Sequence, residues 1–465
     1  METHRKTVKA AAMKLAVILG RRIGDHKIVD DRDVLVGLAG DESHCEPVTP
    51  DLAVRVASRD DVVATLEEAL RLGVPVTPRG GGTGKVGGAI PVCGGLVLDT
   101  TRLDQMLEID PGNLTAVVEP GMINAHFQDE VEREGLFYPP DPNSLENCCL
   151  GGNVAHNAGG PRAFKYGVTR EYVLGLELAL MGGGVIQTGG RTIKTVAGYD
   201  LTRLLVGSEG TLGVFSKLVL RLVRKPPHIA TLLVRFADEI AAGKAVSRII
   251  EKGIVPRVME FMDEVLVETL RMSGAGSVPA DTKSLILAEL DGASEELVDH
   301  DVERFADAVE AEGAVDVLMA RHVGERNRLW EARRGLSDAV KKRSSFKVAE
   351  DVVVPRSRAA DLLSGLRELA EKHQVVCASY GHAGDGNYHV NLLWDDEQWD
   401  PEPAVEDIFR LTLDLDGSIT GEHGVGLAKK KYLGWEKSPR QLSLQSNIKQ
   451  LFDPKGLMNP GKIFT

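Results

Sequence analysis

The chain has 465 residues and a formal net charge of −13 at pH 7, with 43% hydrophobic and 26% charged residues. This length provides for two or three domains with full hydrophobic cores, and the composition excludes a disordered chain or a small disulfide-stapled fold. No apolar stretch approaches the ~20 residues of a membrane span, and the acidic balance disfavours nucleic acid as a partner, so we expect a soluble globular protein.

The N-terminal segment 1–22 is basic and partly apolar, but Lys14 interrupts its apolar patch and no clear cleavage site follows. We interpret this segment as an amphipathic helix rather than a secretion signal. The cysteines are odd in number and form no Cys-x-x-Cys pair, which favours a reducing compartment over a disulfide framework or an iron–sulfur site. A cytoplasmic protein is the expectation.

A strand–helix–strand unit comes next. Residues 52–58 alternate between apolar and polar, as in a strand, and residues 74–80 form a second strand. Between them, residues 58–73 have helical spacing, with Ser58 at the start and Gly73 at the end. The second strand runs directly into a glycine-rich loop.

Glycine is over-represented, with 50 residues that are concentrated between positions 79 and 213. Such clusters occur where the main chain turns sharply or approaches a ligand closely. The third cluster lies between two apolar runs and predicts a hairpin turn, whereas the others interrupt strands without an obvious hairpin. The clusters are RGGGTGKVGG (79–88), GGNVAHNAGG (151–160), MGGGVIQTGG (181–190) and VGSEGTLGV (206–214).

The second half of the chain differs in composition and pattern, because it has fewer glycines and its predicted strands alternate with long helices. This pattern favours a second, α+β domain, with a boundary near RKPPHIA (224–230). Strands are predicted at 231–237, 284–290 and 348–355, and helices at 239–253 and 294–313.

The first glycine loop fits neither of the two common phosphate-binding motifs. Gly82, Gly84 and Gly87 satisfy G-x-G-x-x-G, but a strand-like segment follows where a Rossmann site requires a helix. A Walker A loop fails because Arg79 replaces its first glycine and no Ser or Thr follows Lys85. We therefore expect the loop N–H groups to hold the pyrophosphate of a dinucleotide without a Rossmann fold.

Several motifs follow one another in order: PRGGGTG, EPG, YPPDP, GGNVAHNAGG, GYDLTRLLVGSEGTLG, GHAGDGNYHVN, GEHGVG and FDPKGLMNPGK. Over about residues 45–465 this series resembles the FAD-linked D-2-hydroxyacid dehydrogenase family, which includes D-lactate dehydrogenases, D-2-hydroxyglutarate dehydrogenase and the flavin subunit of glycolate oxidase. The resemblance implies an α+β protein with a vanillyl-alcohol-oxidase (PCMH) type FAD-binding domain and an FAD-linked oxidase C-terminal cap domain that carries the substrate and metal site. The expected boundaries are 1–44 for an N-terminal helical segment, 45–226 for the FAD-binding domain and 227–465 for the C-terminal domain.

The resemblance implies non-covalent FAD, because the first loop lacks the His or Cys through which some relatives with this fold attach the flavin. Cys148 and Cys149 lie close to a second attachment position of more distant relatives, so a covalent link there is the alternative to two small buried residues. The implied flavin contacts are Arg79, Gly80, Gly81, Gly82, Thr83, Gly84, Pro140, Asp141, Ser144, Gly151, Gly152, Asn153, Asn157, Ala158, Gly159 and Gly210.

A candidate metal site lies in the segment GHAGDGNYH. His382 and His389 are seven residues apart, which points them to opposite faces of a straight strand, but the intervening Gly-Asp-Gly can turn the chain. If it does, the imidazoles converge and Glu422 can complete a three-ligand site with an open position, which suits Zn²⁺, with Mn²⁺, Fe²⁺ or Co²⁺ as alternatives. The alternative is that both histidines only form hydrogen bonds within a glycine-rich turn and bind no metal. His423, next to Glu422, would stay neutral beside a cation and is the candidate general base.

Substrate-binding residues are suggested mainly by the resemblance. Arg333 and Ser337 are four residues apart on one helical face and match the family's substrate-carboxylate positions, and Asn391 matches a position that holds the carboxylate or hydroxyl. Dicarboxylate-specific members place a lysine where alignment on EDVVVP puts Ala349, and Lys347 is out of register. A short monocarboxylate is therefore favoured over D-2-hydroxyglutarate.

The implied reaction is the metal-assisted oxidation of a small D-2-hydroxy acid, D-lactate or glycolate-like, to the 2-oxo acid, with hydride transfer to flavin N5. Because the sequence has no haem motif or cysteine cluster, we expect an external electron acceptor: an iron–sulfur subunit, an electron-transferring flavoprotein, a quinone or a cytochrome. Such an acceptor would allow peripheral association with the inner membrane, and a homodimer is compatible with the sequence. The alternatives are another flavin oxidase of this fold acting on an alcohol, phenol or sugar, a flavin-free metallohydrolase, and a non-catalytic nucleotide-binding module.

Overall fold

The computed structural model describes residues 2–273, 278–334 and 336–464, which form a mixture of helices and sheets. The described strands are β1 (Ile28–Val29), β2 (Leu52–Arg55), β3 (Val76–Arg79), β4 (Leu96–Asp99), β5 (Met106–Asp110), β6 (Thr115–Val118), β7 (Leu136–Phe137), β8 (Val173–Ala179), β9 (Val185–Gly189), β10 (Val214–Arg221), β11 (Val223–Arg224), β12 (His228–Phe236), β13 (Val258–Met262), β14 (Ser284–Gly292), β15 (Ala314–Ala320), β16 (Phe346–Val353), β17 (Val376–His382) and β18 (Asn387–Trp394).

The helices account for most of the remaining regular structure. They are α1 (Glu2–Ile23), α2 (Arg32–Gly37), α3 (Arg59–Leu72), α4 (Asn124–Arg133), α5 (Leu150–His156), α6 (Ala163–Tyr166), α7 (Leu201–Leu205), α8 (Glu239–Glu251), α9 (Glu264–Ser273), α10 (Glu295–Glu310), α11 (Val323–Arg334), α12 (Leu336–Lys341), α13 (Ala359–His373), α14 (Glu402–Asp414), α15 (Leu433–Glu436) and α16 (Pro439–Phe452). None of these described helices is both long enough and apolar enough to cross a membrane.

Contacts divide the chain into two units. Unit 1 comprises Met1–Ala158, Val168–Lys225 and Glu422–Thr465, and unit 2 comprises Gly159–Gly167 and Pro226–Gly421. The linear boundaries expected from the sequence differ from this division, because the end of the expected C-terminal domain packs with unit 1. Main-chain hydrogen bonds between residues far apart in sequence join this segment to unit 1: Val76 N–H donates to the carbonyl of Leu457 at 2.8 Å, and Asn459 N–H donates to the carbonyl of Val76 at 2.7 Å.

Unit 1 begins with the predicted strand–helix–strand arrangement. The strand order of its first sheet is β1-β2-β4-β3, in which β2 and β3 both run parallel to β4. Helix α3 starts at Ser58, whose side chain accepts the N–H of Asp61, and ends at Gly73 in the left-handed conformation (φ 69°). The prediction of this unit is confirmed, and β3 delivers Arg79 to the start of the first glycine loop.

A second sheet of unit 1 has the order β5-β6-β10-β8-β9 and is antiparallel throughout. The third glycine cluster connects β8 to β9, with Gly183 N–H donating to the carbonyl of Leu180 at 2.9 Å. Gly182 and Gly183 both have positive φ, at 100° and 86°. The predicted hairpin is therefore confirmed, and its glycines are explained by backbone conformation.

Unit 2 is built on an antiparallel sheet with the order β15-β12-β14-β13-β17-β18-β16. The strands and helices predicted for the second half of the chain are all present, as β12, β14, β16, α8 and α10. A buried core that includes Met262, Leu285, Leu287 and Leu393 packs against Leu266 and Leu270 of α9 and Leu336 of α12. The α+β prediction is confirmed, and the candidate site residues of unit 2 lie mainly on this sheet.

Candidate functional site

The two candidate metal-ligating histidines lie on adjacent strands of one hairpin. His382 ends β17, the GDG segment turns the chain with Gly386 at φ 81°, and His389 lies within β18. His382 is paired directly with Asn387 and His389 with Tyr380, and directly paired residues share a face of an antiparallel sheet. The imidazole centroids are 5.4 Å apart. The turn therefore brings both histidines to the same face, as the sequence required for a metal site.

Glu422 completes the cluster. One ligand atom from each of His382, His389 and Glu422 lies within 4.8 Å of the other two. The residue before Glu422 is held by β16, because Gly421 N–H donates to Asp351 Oδ2 at 2.8 Å. Two imidazole nitrogens and one carboxylate, largely withdrawn from water, form a donor set that fits a catalytic divalent cation with an open position.

Glu260 on β13 links this cluster to a guanidinium. One carboxylate oxygen of Glu260 is hydrogen-bonded to His382 Nδ1, and the other accepts from Arg333 Nε at 2.7 Å. The side chain of Glu260 is fully buried. Burial raises the pKa of Glu260, but His382 and Arg333 outweigh it and lower that pKa to about 2. Glu260 is therefore an ionised buried partner for both side chains.

Arg333 is presented to the sheet by α11. Its side chain is 5% exposed, and its guanidinium lies 4.6 Å from the ring centroid of Tyr380. Its Nη2 is buried and has no hydrogen-bond partner within the described part of the chain. A buried donor of this kind costs free energy until an acceptor binds. The guanidinium is thus suited to receive a carboxylate from a ligand.

Asn391 lies on the same sheet face, two residues beyond His389 on β18. Its Nδ2 donates to the carbonyls of Ala378 and His389 at 3.2 and 3.1 Å, whereas Oδ1 is buried without a partner among the residues described. Oδ1 can therefore accept a hydrogen bond from a ligand hydroxyl. Ala349 of β16 is paired directly with Asn391, and Lys347 is paired two positions further along with Leu393.

Ser337 lies in α12, whereas Arg333 lies in α11. Residue 335, which lies between them, is outside the described part of the chain, so their placement on one helical face stays a prediction. The side chain of Ser337 lies outside the described part of the structure, so its role remains a prediction.

His423 follows Glu422 in a loop held by hydrogen bonds within unit 1. Its Nε2 lies 3.9 Å from Glu422 Oε1, and its carbonyl oxygen lies 3.0 Å from His156 Nδ1. The buried carboxylate of Glu209 accepts the N–H groups of Val425 and Gly426 at 2.8 and 2.7 Å. The backbone on both sides of His423 is therefore fixed while its imidazole remains partly exposed, which suits a proton acceptor.

The first glycine loop begins where β3 ends. Arg79 Nη1 donates to the carbonyl of Gly40 at 2.7 Å, and burial lowers its pKa against the opposing influence of Asp41 and Asp99. No oxygen within the described residues accepts a hydrogen bond from the N–H groups that follow, although the Gly81 N–H faces the Cys149 thiol. These groups belong to Gly80, Gly81, Gly82, Thr83 and Gly84. These N–H groups are available to the phosphate oxygens of a ligand.

Other predicted flavin contacts converge on this loop. A Cβ on Gly81 would overlap the carbonyl oxygen of Asn147, and one on Gly80 would lie 3.1 Å from Cβ of Cys149. Gly210, with φ 67°, lies against Pro78 of β3, where a Cβ would come within 3.3 Å. These close approaches explain the glycines. The cradle that they leave fits a dinucleotide that is bound mainly through backbone groups.

The remaining predicted contacts belong to the same stretch of chain. The carbonyl of Pro140 accepts from Asn124 and Gln128, and the carbonyl of Ser144 accepts the N–H groups of two later residues. Asn157 ends α5 with φ 53°. Its Oδ1 accepts the N–H of Arg170, so this side-chain oxygen has a structural role. Asp141, Gly151, Gly152, Asn153 and Ala158 also lie in unit 1, whereas Gly159 is assigned to unit 2.

Cys148 and Cys149 are both buried. Burial raises the pKa of the Cys148 thiol and raises that of Cys149 to about 12. Since the thiolate is the reactive form of cysteine, both side chains behave as small apolar residues here.

Sequence reasoning missed three of the residues that organise these sites: Glu260, Glu209 and His156. A signal existed for Glu260, because it is the only charged residue in the otherwise apolar run VMEFM of β13, and a charge inside a buried strand needs partners. Glu209 stands in the quoted GSEG motif, but its contact with the loop after His423 spans 216 residues of sequence. Nothing in the local sequence indicates such a contact.

Family models match most of the chain. The model described as FAD linked oxidases, C-terminal domain, matches residues 225–463, and the model described as FAD binding domain matches residues 50–189. The chain is 41% identical over 419 residues to the glycolate oxidase subunit GlcD of Bacillus subtilis (strain 168), which covers 89% of each chain. It is 33% identical over 425 residues to the D-lactate dehydrogenase of Anaerostipes hadrus, again with 89% of each chain covered.

A solved structure shares the fold. The crystal structure of p-cresol methylhydroxylase with substrate bound superposes with a TM-score of 0.78 and covers 98% of this chain and 97% of that chain. At 16% identity this likeness concerns the fold alone. It confirms the expected PCMH-type architecture.

Proposed function

The chain belongs to the family of FAD-linked oxidases, and from this premise we propose that it oxidises a short D-2-hydroxy acid, D-lactate or glycolate-like, to the corresponding 2-oxo acid. It is an enzyme of the FAD-linked D-2-hydroxyacid dehydrogenase type, so the resemblance drawn from the motifs is confirmed. The observation that carries the substrate assignment is the buried array in which Glu260 joins a candidate metal ligand, His382, to Arg333. A carboxylate with an adjacent hydroxyl complements a guanidinium beside a cation site.

When bound, FAD would supply a hydride acceptor at N5, and a divalent cation would lower the pKa of the substrate hydroxyl. We assign His382, His389 and Glu422 to hold the cation, with Zn²⁺ as the expected metal. His423 takes the hydroxyl proton onto an imidazole nitrogen, so that the hydride and the proton leave the substrate separately.

The residues that orient the substrate are Arg333, Asn391 and Ser337. Arg333 receives the substrate carboxylate through Nη2, and in the bound complex Asn391 Oδ1 accepts a hydrogen bond from the substrate hydroxyl before that proton passes to His423. Fixing both groups determines which face of Cα meets the flavin, so the preference for one enantiomer follows from positioning.

A short, uncharged substrate tail is supported by Ala349. The methyl side chain of Ala349 stands opposite Asn391 and provides no charge for a second carboxylate, and Lys347 is displaced by two pairs along the strand. We therefore propose that D-lactate or glycolate is used in preference to D-2-hydroxyglutarate.

The electrons must leave on an external acceptor, and an iron–sulfur subunit, an electron-transferring flavoprotein, a quinone and a cytochrome all meet the requirement. We further propose that FAD is held without a covalent bond, in agreement with the raised thiol pKa values of Cys148 and Cys149. A cytoplasmic location, with peripheral membrane association through the acceptor, completes the proposal.

The test is anaerobic mixing of flavin-replete, metal-analysed protein with D-lactate, L-lactate, glycolate and D-2-hydroxyglutarate, followed through bleaching of the visible flavin absorbance. We expect bleaching by D-lactate or glycolate and none by L-lactate. The His423→Ala variant should be reduced about 10²–10⁴-fold more slowly while it keeps its flavin.

A flavin that no hydroxy acid reduces would reject the substrate assignment, and reduction by a phenol or sugar would favour another flavin oxidase of this fold. Equal reduction by both lactate enantiomers would reject the positioning roles of Arg333 and Asn391. Full activity after complete removal of divalent metals would reject the metal's role.

A further inference from the structure

We propose that Glu260 is a positioning residue that holds a metal-binding imidazole and the substrate-binding guanidinium in one fixed arrangement. This inference rests on the proposed function and adds to it a single side chain that acts on both halves of the site. It concerns a residue that the motifs do not include, in the middle of β13.

The first half of the argument is the orientation of His382. Because a carboxylate can only accept hydrogen bonds, its contact with Glu260 places the ring proton of His382 on Nδ1. Nε2 is then the nitrogen that carries the lone pair, which is the form required of a metal ligand. Carboxylates that fix a ligating histidine in this way also make its free nitrogen a better donor.

The second half is the orientation of Arg333. Its Nε donates to the other carboxylate oxygen of Glu260 at 2.7 Å, which uses the inner edge of the guanidinium. Stacking over Tyr380 at 4.6 Å fixes the plane of the group. Nη2 is left buried and without a partner among the described residues, so the outer end of the fork is the part available to a carboxylate.

A purely structural role is the alternative, and the same sheet supplies a matched case. Glu289 on β14 is also almost fully buried, and its Oε1 accepts from Thr231, Arg326 and Trp330 at 2.8, 3.1 and 2.9 Å. Arg326, Trp330 and Arg333 all come from α11, so both glutamates anchor the same helix to the same sheet. Of the two, Glu260 contacts a candidate metal ligand and Glu289 does not.

The decisive experiment compares Glu260→Gln with Glu289→Gln in the full-length, flavin-replete protein. Affinity for Zn²⁺ is measured without substrate, by competition with a chromophoric chelator, and kcat and KM are measured separately with the best hydroxy acid. Glutamine keeps the shape of the side chain but removes the charge and replaces one acceptor oxygen by a donor.

We expect Glu260→Gln to weaken Zn²⁺ binding about 10–100-fold and to raise KM as well, because both partners lose their fixed orientation. Glu289→Gln should keep wild-type Zn²⁺ affinity and KM even if it lowers thermal stability. Equal Zn²⁺ affinity in wild type and Glu260→Gln, or equal losses in both variants, would overturn the inference.

If Glu260→Gln does not fold, Glu260→Asp replaces it, since aspartate keeps the charge but is too short to reach both partners. We then expect weaker Zn²⁺ binding with an unchanged flavin spectrum, and unchanged Zn²⁺ binding would overturn the inference. In the wild type, nitrogen chemical shifts of the labelled His382 side chain should show a proton on Nδ1, and a proton on Nε2 would likewise overturn it.

These outcomes are separable from those of the proposed function. A wild type that binds Zn²⁺ and is reduced by a hydroxy acid keeps the proposed function, whatever Glu260→Gln does. A wild type that binds no Zn²⁺ and oxidises no hydroxy acid rejects the proposed function, and the role of Glu260 with it.

Discussion

The first glycine loop of unit 1 and the sheet face of unit 2 offer ligands very different chemistry. The loop offers backbone N–H groups, and Gly81 is required there because the carbonyl oxygen of Asn147 leaves no room for a side chain. The sheet face offers side chains, namely two histidines, a guanidinium and a buried carboxylate, on a regular antiparallel framework. The loop depends on the missing side chains of its glycines, whereas the sheet face depends on the polar side chains that it carries.

This difference determines how each site should respond to substitution. The loop should tolerate changes of charge nearby but not an added Cβ, because its ligand groups are main-chain atoms. The sheet face should tolerate small changes of volume but not the loss of a charge, because its polar groups are buried in mutual pairs.

The largest effect is expected for His389→Ala, which removes one of the nitrogen ligands from the sheet face. A bound cation contributes several kcal/mol of charge stabilisation, so turnover should fall by about 10³-fold. Metal analysis should find little bound metal, while the flavin content should match wild type. Loss of flavin together with metal would show instead that the metal site and the flavin site depend on each other.

Gly81→Ala should produce the reverse pattern. Its Cβ would overlap the carbonyl oxygen of Asn147, so the loop must shift, at a cost of about 1–3 kcal/mol. We expect FAD affinity to fall about tenfold or more in a flavin-binding titration, with unchanged Zn²⁺ affinity. Gly434→Ala is the control, because a Cβ there meets nothing within 4 Å. Equal flavin affinity in both variants would contradict the cradle.

Glu209→Gln tests a carboxylate that acts on backbone within unit 1. Loss of the charge weakens two hydrogen bonds to the loop after His423, at a cost of about 1–3 kcal/mol in the free energy of unfolding. We expect kcat to fall more than KM rises, because His423 loses its fixed backbone. Glu171→Gln, at an exposed ion pair 3.6 Å long, is the control and should change neither constant. A change in stability alone would limit Glu209 to a structural role.

The smallest effect is a pH dependence from Lys462, whose amino group donates to the carbonyl of Ile90 at 2.6 Å. Burial lowers its pKa from 10.5 to about 8, against the opposing influence of Asp41, Cys93 and Glu209. Between these values the unfolded chain binds the proton and the folded chain does not, so this group makes unfolding costlier as pH rises. Relative to Lys462→Met, the free energy of unfolding of the wild type should rise by about 1 kcal/mol for each pH unit from 8 to 10. Parallel curves for the two proteins would show that the pKa is not lowered.

Much of the fold could be predicted because its signals are local. Helix α3 carries its start signal at Ser58 and its stop signal at Gly73, and the glycines between β8 and β9 predict the hairpin that is found. The convergence of His382 and His389 was also open to prediction, since the GDG segment between them permits a turn. These features depend on residues close together in sequence.

The features that escaped prediction depend on long-range contacts. The C-terminal segment joins unit 1 because Asn459 and Leu457 bond to Val76, far away in sequence. Glu260 lies 122 residues from His382 and 73 from Arg333, so its double contact exists only after the sheet has formed.

The discontinuity of unit 1 has a consequence for biosynthesis. Val76 at the edge of the first sheet and the glycine loop after it are completed by residues that follow all of unit 2 in the chain. During translation the whole of unit 2 is synthesised before Leu457 and Asn459 are made. Unit 2 can therefore mature first, and the flavin-binding unit acquires its last strand-edge partners only when synthesis is nearly finished.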